Sequence, residues 1–379
     1  MPVWWGTFAY MMIVSLIGMY MYKSKMQNTE LVSVEGEKIE QYKSIGLFMA
    51  LMTFALLVFF VGNRNSIHDT LEYQHIYNTA YNEDLSQITD ILNGTKANVK
   101  GPLFYIYLVL FKHFTHGTYN DWFFSLAIIQ AVSIAVFLYK YSVNYAYSVF
   151  LFYMTSGFIW MVNGIRQFLA VAFVLYFADW LFKRKTIPFI IVIVIAYFIH
   201  SASLLWIPAF FIARFKPWSI KFIVSLIVFS IGMILFSRSS MLYETDFSYL
   251  TKDPNLGINP LRFAVFSVPS IIAFIRKSEI EKKSNNTIDM IINLSIICAA
   301  CYFVGMFTNG VVARIAAYFN PFIYLSLPWL LKNAFDENTG KTVTIISVLG
   351  FMGYFCYEMY GAQNGKYVSE ILGLYYWNA

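Results

Sequence analysis

Four arginines lie where long apolar stretches of the sequence meet polar residues, and arginine at such points is suited to binding a phosphorylated group. A charge next to a long apolar stretch is costly and usually functional. Arginine stays charged and presents a planar set of N–H donors that matches phosphate and carboxylate oxygens. Four such groups at one site would suit a diphosphate, although each would equally suit a helix end, a lipid headgroup or a nearby acid. The four are Arg64, Arg166, Arg262 and Arg314.

Two titratable side chains are candidates for moving a proton. His200 ends an apolar run and precedes Ser201-Ala202-Ser203. An imidazole titrates near neutral pH, which suits a general base, but a buried histidine that only packs is the competing interpretation. Asp69 comes five positions after Arg64. It fits three roles, namely a base, a partner that orients an arginine, and a helix cap.

Aromatic and amide side chains accompany these groups. Tyr73, Tyr77 and Tyr81 are spaced by four, which predicts that they share one face of a helix. Tyrosine is common where a membrane meets water, so this face needs no further role, but tyrosine rings also stack on sugars. The candidate sugar-binding residues are Tyr73, Gln167 and Tyr318.

Apolar segments separate these side chains and must position them. Of the 379 residues, 59% are apolar and 13% are charged, against about 45–50% and about 25% in soluble domains. A membrane-spanning helix needs about 20 mostly apolar residues. We therefore expect an all-α, polytopic membrane protein of about twelve spans, forming a single membrane domain over residues 1–379. The predicted spans are 3–22, 44–62, 121–139, 142–160, 163–182, 187–200, 202–213, 218–236, 261–275, 287–305, 312–331 and 342–358.

The apolar segment 101–114 is too short to span and is predicted to lie at the membrane surface or re-enter. Basic residues favour the cytoplasmic side of a membrane, and all basic clusters reach one face only if 101–114 does not cross. With this orientation, the outer side carries loops 63–120 and 237–260, and the four arginines lie at the outer ends of spans. Two acids near the inner ends, Asp179 and Asp289, are unexplained. The inner clusters are Lys23/Lys25, Lys140, Lys183/Arg184/Lys185, Arg214/Lys216, Arg276/Lys277, Lys282/Lys283 and Lys332/Lys341.

The sequence lacks the motifs of several classes of function. The sequence contains no phosphate-binding Gly-rich loop, no HExxH zinc motif and no GxSxG nucleophile motif. Cys298, Cys301 and Cys356 form no disulfide framework, and core-facing cysteine is favoured over a metal or redox pair. We therefore expect no metal site and no cofactor. The net charge of +6 is attributed to cytoplasmic loops and contact with anionic lipids, not to nucleic acid.

The polar elements, in order, resemble the successive motifs of the EpsG family of Wzy-type polymerases. The most specific are the Gly-Ile-Arg-Gln and His-Ser-Ala elements, and the resemblance covers roughly residues 1–330, with no match found for 359–379. The elements are Arg64 with Asp69 and Tyr73, Gly101-Pro102-Leu103-Phe104, Asn163-Gly164-Ile165-Arg166-Gln167-Phe168-Leu169-Ala170 and Phe198-Ile199-His200-Ser201-Ala202.

The resemblance implies a fold and an activity. The expected fold is like that of the GT-C glycosyltransferases, with interfacial helices in the first outer loop. The expected activity joins oligosaccharide repeat units, carried on undecaprenyl diphosphate, into exopolysaccharide, capsule or O-antigen. It takes place at the outer face of the bacterial cytoplasmic (inner) membrane, with membrane lipids and the chain-length regulator and flippase of the same pathway as potential partners. The competing functions are a lipid-linked oligosaccharide flippase or other transporter, an O-antigen ligase and a membrane acyltransferase.

The resemblance also implies roles for the candidate residues. Arg166 and Arg314, assisted by Arg64 and Arg262, would bind the diphosphate. His200 or Asp69 would take the proton of the acceptor hydroxyl, with Arg166 also acting in catalysis. No nucleotide sugar takes part in such a reaction.

Overall fold

The structure is a computed structural model that describes residues 2–27, 44–94, 101–238, 259–308, 314–361 and 366–374. Residues 95–100 of the first predicted outer loop and most of the second, 237–260, lie outside these ranges. Helices make up the described part, in which no β-strand occurs. The α-helices are α1 (Pro2–Gln27), α2 (Leu47–Met52), α3 (Ala55–Gly62), α4 (Thr70–His75), α5 (Ser86–Leu92), α6 (Pro102–Thr115), α7 (Tyr119–Tyr141), α8 (Tyr145–Met154), α9 (Ile165–Tyr176), α10 (Ala178–Phe182), α11 (Thr186–Ile199), α12 (Trp206–Ile212), α13 (Ile220–Arg238), α14 (Pro260–Ile275), α15 (Lys277–Lys283), α16 (Asn286–Met306), α17 (Asn320–Asn333) and α18 (Glu337–Cys356).

The helices are those of an integral membrane protein, as expected from the composition. Within the described residues, four are long and apolar enough to cross a membrane, and seven further apolar helices have 10–17 residues. The all-α membrane class is therefore confirmed, while neither the number of twelve spans nor the GT-C arrangement is established by these helices. The four long helices are Val3–Ser24, Tyr119–Tyr141, Asn286–Met306 and Glu337–Gly361.

Several predicted spans are shorter because the helices break inside them. The predicted span 142–160 contains α8 and then a 3-10 helix at Gly157–Met161. Any Cβ on Gly157 would lie 2.7 Å from the hydroxyl of Tyr324, so this break lets α17 approach closely. The break predicted at His200 is present, since α11 ends at Ile199 and a 3-10 helix follows it at Ser201–Leu205.

The core of the fold lies around α16 and α17. Nearly every residue from Ile288 to Cys298 on α16 and from Asn320 to Leu331 on α17 is buried. A helix that is apolar all round is stable only when other helices surround it. These two helices therefore form the centre against which α8, α13 and α14 pack.

Three basic residues at one end of the bundle bind an acid or a backbone carbonyl. Lys140 lies 2.6 Å from Asp179, and Lys216 lies 3.0 Å from the buried carboxylate of Asp289. Arg276 donates a hydrogen bond of 2.6 Å to the carbonyl oxygen of residue 334. The two acids that the sequence left unexplained are thus counterions of the predicted cytoplasmic lysines.

Both ends of α6 lie at the opposite end of the bundle. Gly101, just before α6, has φ +78°, and a Cβ there would lie 2.3 Å from the carbonyl oxygen of Ile199, where α11 ends. Near the other end of α6, Lys112 donates a hydrogen bond of 2.6 Å to the carbonyl oxygen of Tyr81 in the first outer loop. A helix anchored at both ends in this way agrees with the prediction that 101–114 does not cross the membrane.

A segment near the end of the chain, 366–374, packs on the last turn of α3 and on the residues that follow it. The backbone N–H of Asn65 donates a hydrogen bond of 2.9 Å to the carbonyl oxygen of Val368. The hydroxyl of Tyr367 donates one of 2.8 Å to the carbonyl oxygen of Phe60. This segment, for which the sequence offered no match, forms part of the predicted outer end.

Candidate functional site

The start of α9 holds Arg166 at the predicted outer end, and Asp69 fixes that start. Gly164 has φ +74°, a backbone conformation that glycine adopts readily and that turns the chain into the helix. Its N–H donates a hydrogen bond of 2.7 Å to Asp69 Oδ2. A carboxylate at a helix N-terminus satisfies a free N–H and lies at the positive end of the helix dipole. Of the three roles open for Asp69, the structure displays the cap.

Arg166 contacts the first outer loop and α6. Its Nε donates a hydrogen bond of 3.3 Å to the hydroxyl of Tyr73, and its guanidinium carbon lies 5.7 Å from the ring centre of Tyr105. Burial raises the pKa of Tyr73 to about 12, so the hydroxyl keeps its proton at neutral pH. Arg166 is half-buried and is held in place by the loop and by α6.

His200 lies with Arg166 and Arg314. The Nδ1 atom of His200 is 2.6 Å from the hydroxyl of Tyr318, and both side chains are buried. The positive charges of Arg166 and Arg314 are both close enough to act on the charge of His200. Three of the predicted site residues therefore interact electrostatically, although they come from three separate parts of the chain.

Gln167 connects α9 to the segment that carries Arg314. The side-chain amide of Gln167 is buried and donates a hydrogen bond to the carbonyl oxygen of Arg314. Its Oε1 atom is buried too and has no hydrogen-bond partner among the described residues. A buried acceptor without a donor costs free energy.

Arg64 is placed differently, inside the protein. Only 1% of its surface is exposed, and its Nε donates a hydrogen bond of 3.1 Å to the Thr70 hydroxyl. The guanidinium carbon lies 4.0 Å above the ring centre of Phe123. These contacts join the start of α4 to α7.

Arg262 pairs with an acid that the sequence analysis missed. Its Nη2 atom lies 2.9 and 2.7 Å from the two carboxylate oxygens of Glu358, which is 3% exposed, and its Nε donates to the Tyr354 hydroxyl at 3.3 Å. The available signal was a lone acid at the end of the last predicted span. The pair is the acid-partner alternative that the sequence left open for each arginine.

The tyrosine face points inward. All three tyrosines are buried, but the single helix predicted to carry them is absent. Tyr73 lies on α4, Tyr77 lies in a π-helix at Ile76–Ala80, and Tyr81 follows that helix in an extended conformation. Tyr77 packs on Trp122 with ring centres 5.6 Å apart, and Tyr81 stacks on Tyr105 at 5.0 Å. These rings hold the first outer loop on α6 and α7.

The cap made by Asp69 gives a test of its role. We expect Asp69→Ala to destabilise the start of α9 by about 1 kcal/mol, because a capping acceptor is lost. Asp69→Asn keeps a side-chain oxygen for the Gly164 N–H and should preserve both thermal stability in detergent and activity. Equal loss of activity in both variants at unchanged stability would contradict a capping role and support a base.

Comparison with known proteins gives one match. Residues 47–370 match the model of a family described as the EpsG family. The matched region begins after α1. It extends beyond residue 330, where the resemblance seen in the sequence ended, through α18 and into the segment 366–374. No curated protein and no solved structure matches the chain.

Proposed function

The chain belongs to the EpsG family, and from this premise we propose that it is a glycosyltransferase that polymerises lipid-linked sugars. It joins oligosaccharide repeat units carried on undecaprenyl diphosphate into exopolysaccharide, capsule or O-antigen at the outer face of the bacterial cytoplasmic membrane. The observation that supports this most is the meeting of Arg166, Arg314 and His200 at the end of the bundle opposite the lysine–acid pairs.

The reaction requires a group that binds the departing diphosphate. The bond between the anomeric carbon of the growing chain and the diphosphate oxygen breaks, and its electron pair stays on the diphosphate. A hydroxyl oxygen of the next lipid-linked unit forms the new glycosidic bond and gives up its proton to a base or to the departing diphosphate. Guanidinium groups held in place before the reaction stabilise the charge that develops on the leaving group.

The two arginines are suited to this because they are fixed without being fully covered. The side chain of Arg166 donates a hydrogen bond to Tyr73. The backbone carbonyl of Arg314 accepts one from Gln167. Both arginine side chains are half-buried. Such anchoring pays part of the entropic cost of binding in advance. The buried Oε1 of Gln167 would accept a hydrogen bond from a sugar hydroxyl.

In this proposal, Arg64 and Arg262 do not bind the diphosphate but stabilise the helices that surround the site. Arg64 binds Thr70 at the start of α4, the helix that carries Tyr73. Arg262 joins α14 to the end of α18 through Glu358. Their loss would disturb the outer end without removing a direct contact with the diphosphate.

Reconstitution separates the polymerase from a transporter. The purified protein is placed in liposomes, and undecaprenyl-diphosphate-linked repeat units are supplied on the face that carries Arg166. We expect chains of several units to form without nucleotide sugar, and an Arg314→Ala variant to leave single units. Movement of the units across the bilayer with no lengthening would contradict the proposal and favour a flippase. Transfer only to an unrelated lipid acceptor would favour a ligase.

A further inference from the structure

A cavity of about 750 Å³ lies between α1, α8, α17 and α18 at the predicted inner end of the bundle. Ligand sites in proteins usually measure about 300–1,000 Å³ and are mostly apolar with a few polar groups. The surface of this cavity is mostly apolar, and no residue of the proposed active site belongs to it. The apolar part of the lining comes from Met19, Val143, Tyr147, Pro328, Leu331 and Ile345.

The cavity is continuous with the lipid-facing surface of the bundle. Among the described residues, α1 and α18 are the least buried of the four helices long enough to span, at 28% and 33% against 61% for α7 and 89% for α16. Ile345 of α18 lines the cavity and is itself 61% exposed, and Ile346 and Leu349 continue this exposed apolar surface. A bilayer covers such a surface with acyl chains, so an apolar ligand reaches the cavity from the lipid.

The charged residues of the lining lie at the end of α17 and around the start of α18. Lys341 is 2.6 Å from Glu337, and Asp336 caps α18 by accepting a hydrogen bond of 3.0 Å from the N–H of Thr339. Lys332 is exposed, and no acid among the described residues pairs with it. Its ammonium group is therefore available to an anionic group of a ligand.

We propose that this cavity binds one anionic phospholipid from the leaflet at the predicted inner end, with its phosphate at Lys332 and an acyl chain along Met19, Tyr147 and Ile345. Basic residues at the cytoplasmic surface of a membrane attract anionic lipids. A phospholipid supplies both parts that the lining requires, whereas a soluble anion leaves the apolar walls uncovered and a zwitterionic lipid compensates Lys332 less. The site does not depend on the proposed function.

A lipid held here would connect a weakly packed helix to the rest of the bundle. The hydroxyls of Tyr147 and Ser347 form a hydrogen bond of 2.5 Å, which joins α8 to α18 one turn beyond the lining residue Thr344. An acyl chain in the cavity would contact both of these helices and Met19 of α1. The bound lipid should therefore raise the thermal stability of the protein.

Native mass spectrometry of the full chain tests the headgroup contact. The protein in detergent is mixed with equal amounts of phosphatidylglycerol or phosphatidylcholine. We expect one phosphatidylglycerol to bind more tightly than any further copy, and Lys332→Gln to weaken this first binding about fivefold, the usual contribution of one lysine. The matched control is Lys221→Gln, an exposed lysine of α13 outside the cavity. Equal effects of the two substitutions would overturn the proposal.

A bulky side chain tests the place of the acyl chain. Thr344→Trp puts an indole ring into the cavity and should remove the tight binding of the first phosphatidylglycerol. Ile346→Trp changes a residue two positions further along α18, on the lipid-facing side and outside the cavity, and should retain that binding. Tight binding that persists in a folded Thr344→Trp protein would overturn the proposal. If Thr344→Trp does not fold, the comparison of the two lysine variants still decides.

Thermal stability in detergent distinguishes a lipid from a soluble anion. We expect phosphatidylglycerol to raise the melting temperature of the wild-type protein more than that of Lys332→Gln, and inorganic phosphate at the same concentration to leave both unchanged. An equal rise with inorganic phosphate would indicate a site for a free anion and overturn the proposal. These measurements use no sugar substrate, so a protein that fails to lengthen chains refutes the polymerase and leaves the lipid site standing.

Discussion

Arg166→Ala is expected to lower the rate of chain lengthening by about 100- to 1,000-fold, the range seen when one fixed donor to a developing negative charge is removed. The loss should be this large because the Tyr73 hydroxyl holds the guanidinium group of Arg166 in place, and the charge of this group acts on His200. In cells, the surface polysaccharide should appear on a gel as single repeat units in place of a ladder. The rate measurement uses purified protein with lipid-linked repeat units.

Two companion variants show whether the guanidinium group itself matters. Arg166→Lys keeps the charge but loses the planar fork, so an intermediate rate is expected. Arg276→Ala removes an arginine at the opposite end, where it binds the carbonyl oxygen of residue 334, and should leave the ladder intact once protein levels are matched. A normal ladder from Arg166→Ala would remove Arg166 from the site.

Gly101→Ala is expected to abolish activity and to lower the stability of the outer end. The new Cβ would lie 2.3 Å from the carbonyl oxygen of Ile199, and real Cβ atoms do not come so close to backbone. Either α6 or the end of α11 must move, and His200 follows directly after Ile199. A displacement of about 1 Å at reacting groups can cost about 100-fold in rate.

Gly94→Ala is the matched control for the backbone conformation. Gly94 has φ +68°, close to the value for Gly101, but a Cβ there would meet nothing within 4 Å. Alanine at a left-handed position costs about 1–2 kcal/mol, so Gly94→Ala measures that cost alone. The comparison uses thermal stability in detergent and the rate of lengthening. Equal effects of the two substitutions would contradict the close packing of α6 on α11.

The sequence was informative about the features that depend on residue type and local spacing. The positions of the basic residues distinguished the two ends of the bundle. They also predicted that segment 101–114 lies at one end and does not cross the membrane. The break at His200 was visible because polar residues interrupt an apolar run there. Arginines at the starts of helices drew attention to Arg166 and Arg314, and the structure brings both near His200.

Contacts between distant parts of the chain were not visible in the sequence. Arg262 and Arg166 look alike as isolated residues, but Arg262 binds Glu358, 96 positions away, whereas Arg166 donates to the hydroxyl of Tyr73. The burial of Arg64 likewise depends on Phe123, which belongs to another helix. The sequence shows which side chains can pair, whereas the packing of the helices decides which of them do.

The hydrogen bond from Tyr367 to Phe60 joins residues 307 positions apart, and this separation has a consequence for how the protein is made. A ribosome releases the loop after α3 early and the segment 366–374 only after α18 has been synthesised. Until then, residues 60–65 lack part of their hydrogen bonding, and Arg64 lies among them. The hydrogen bonds of this end of the bundle are therefore completed only after α18 has been made.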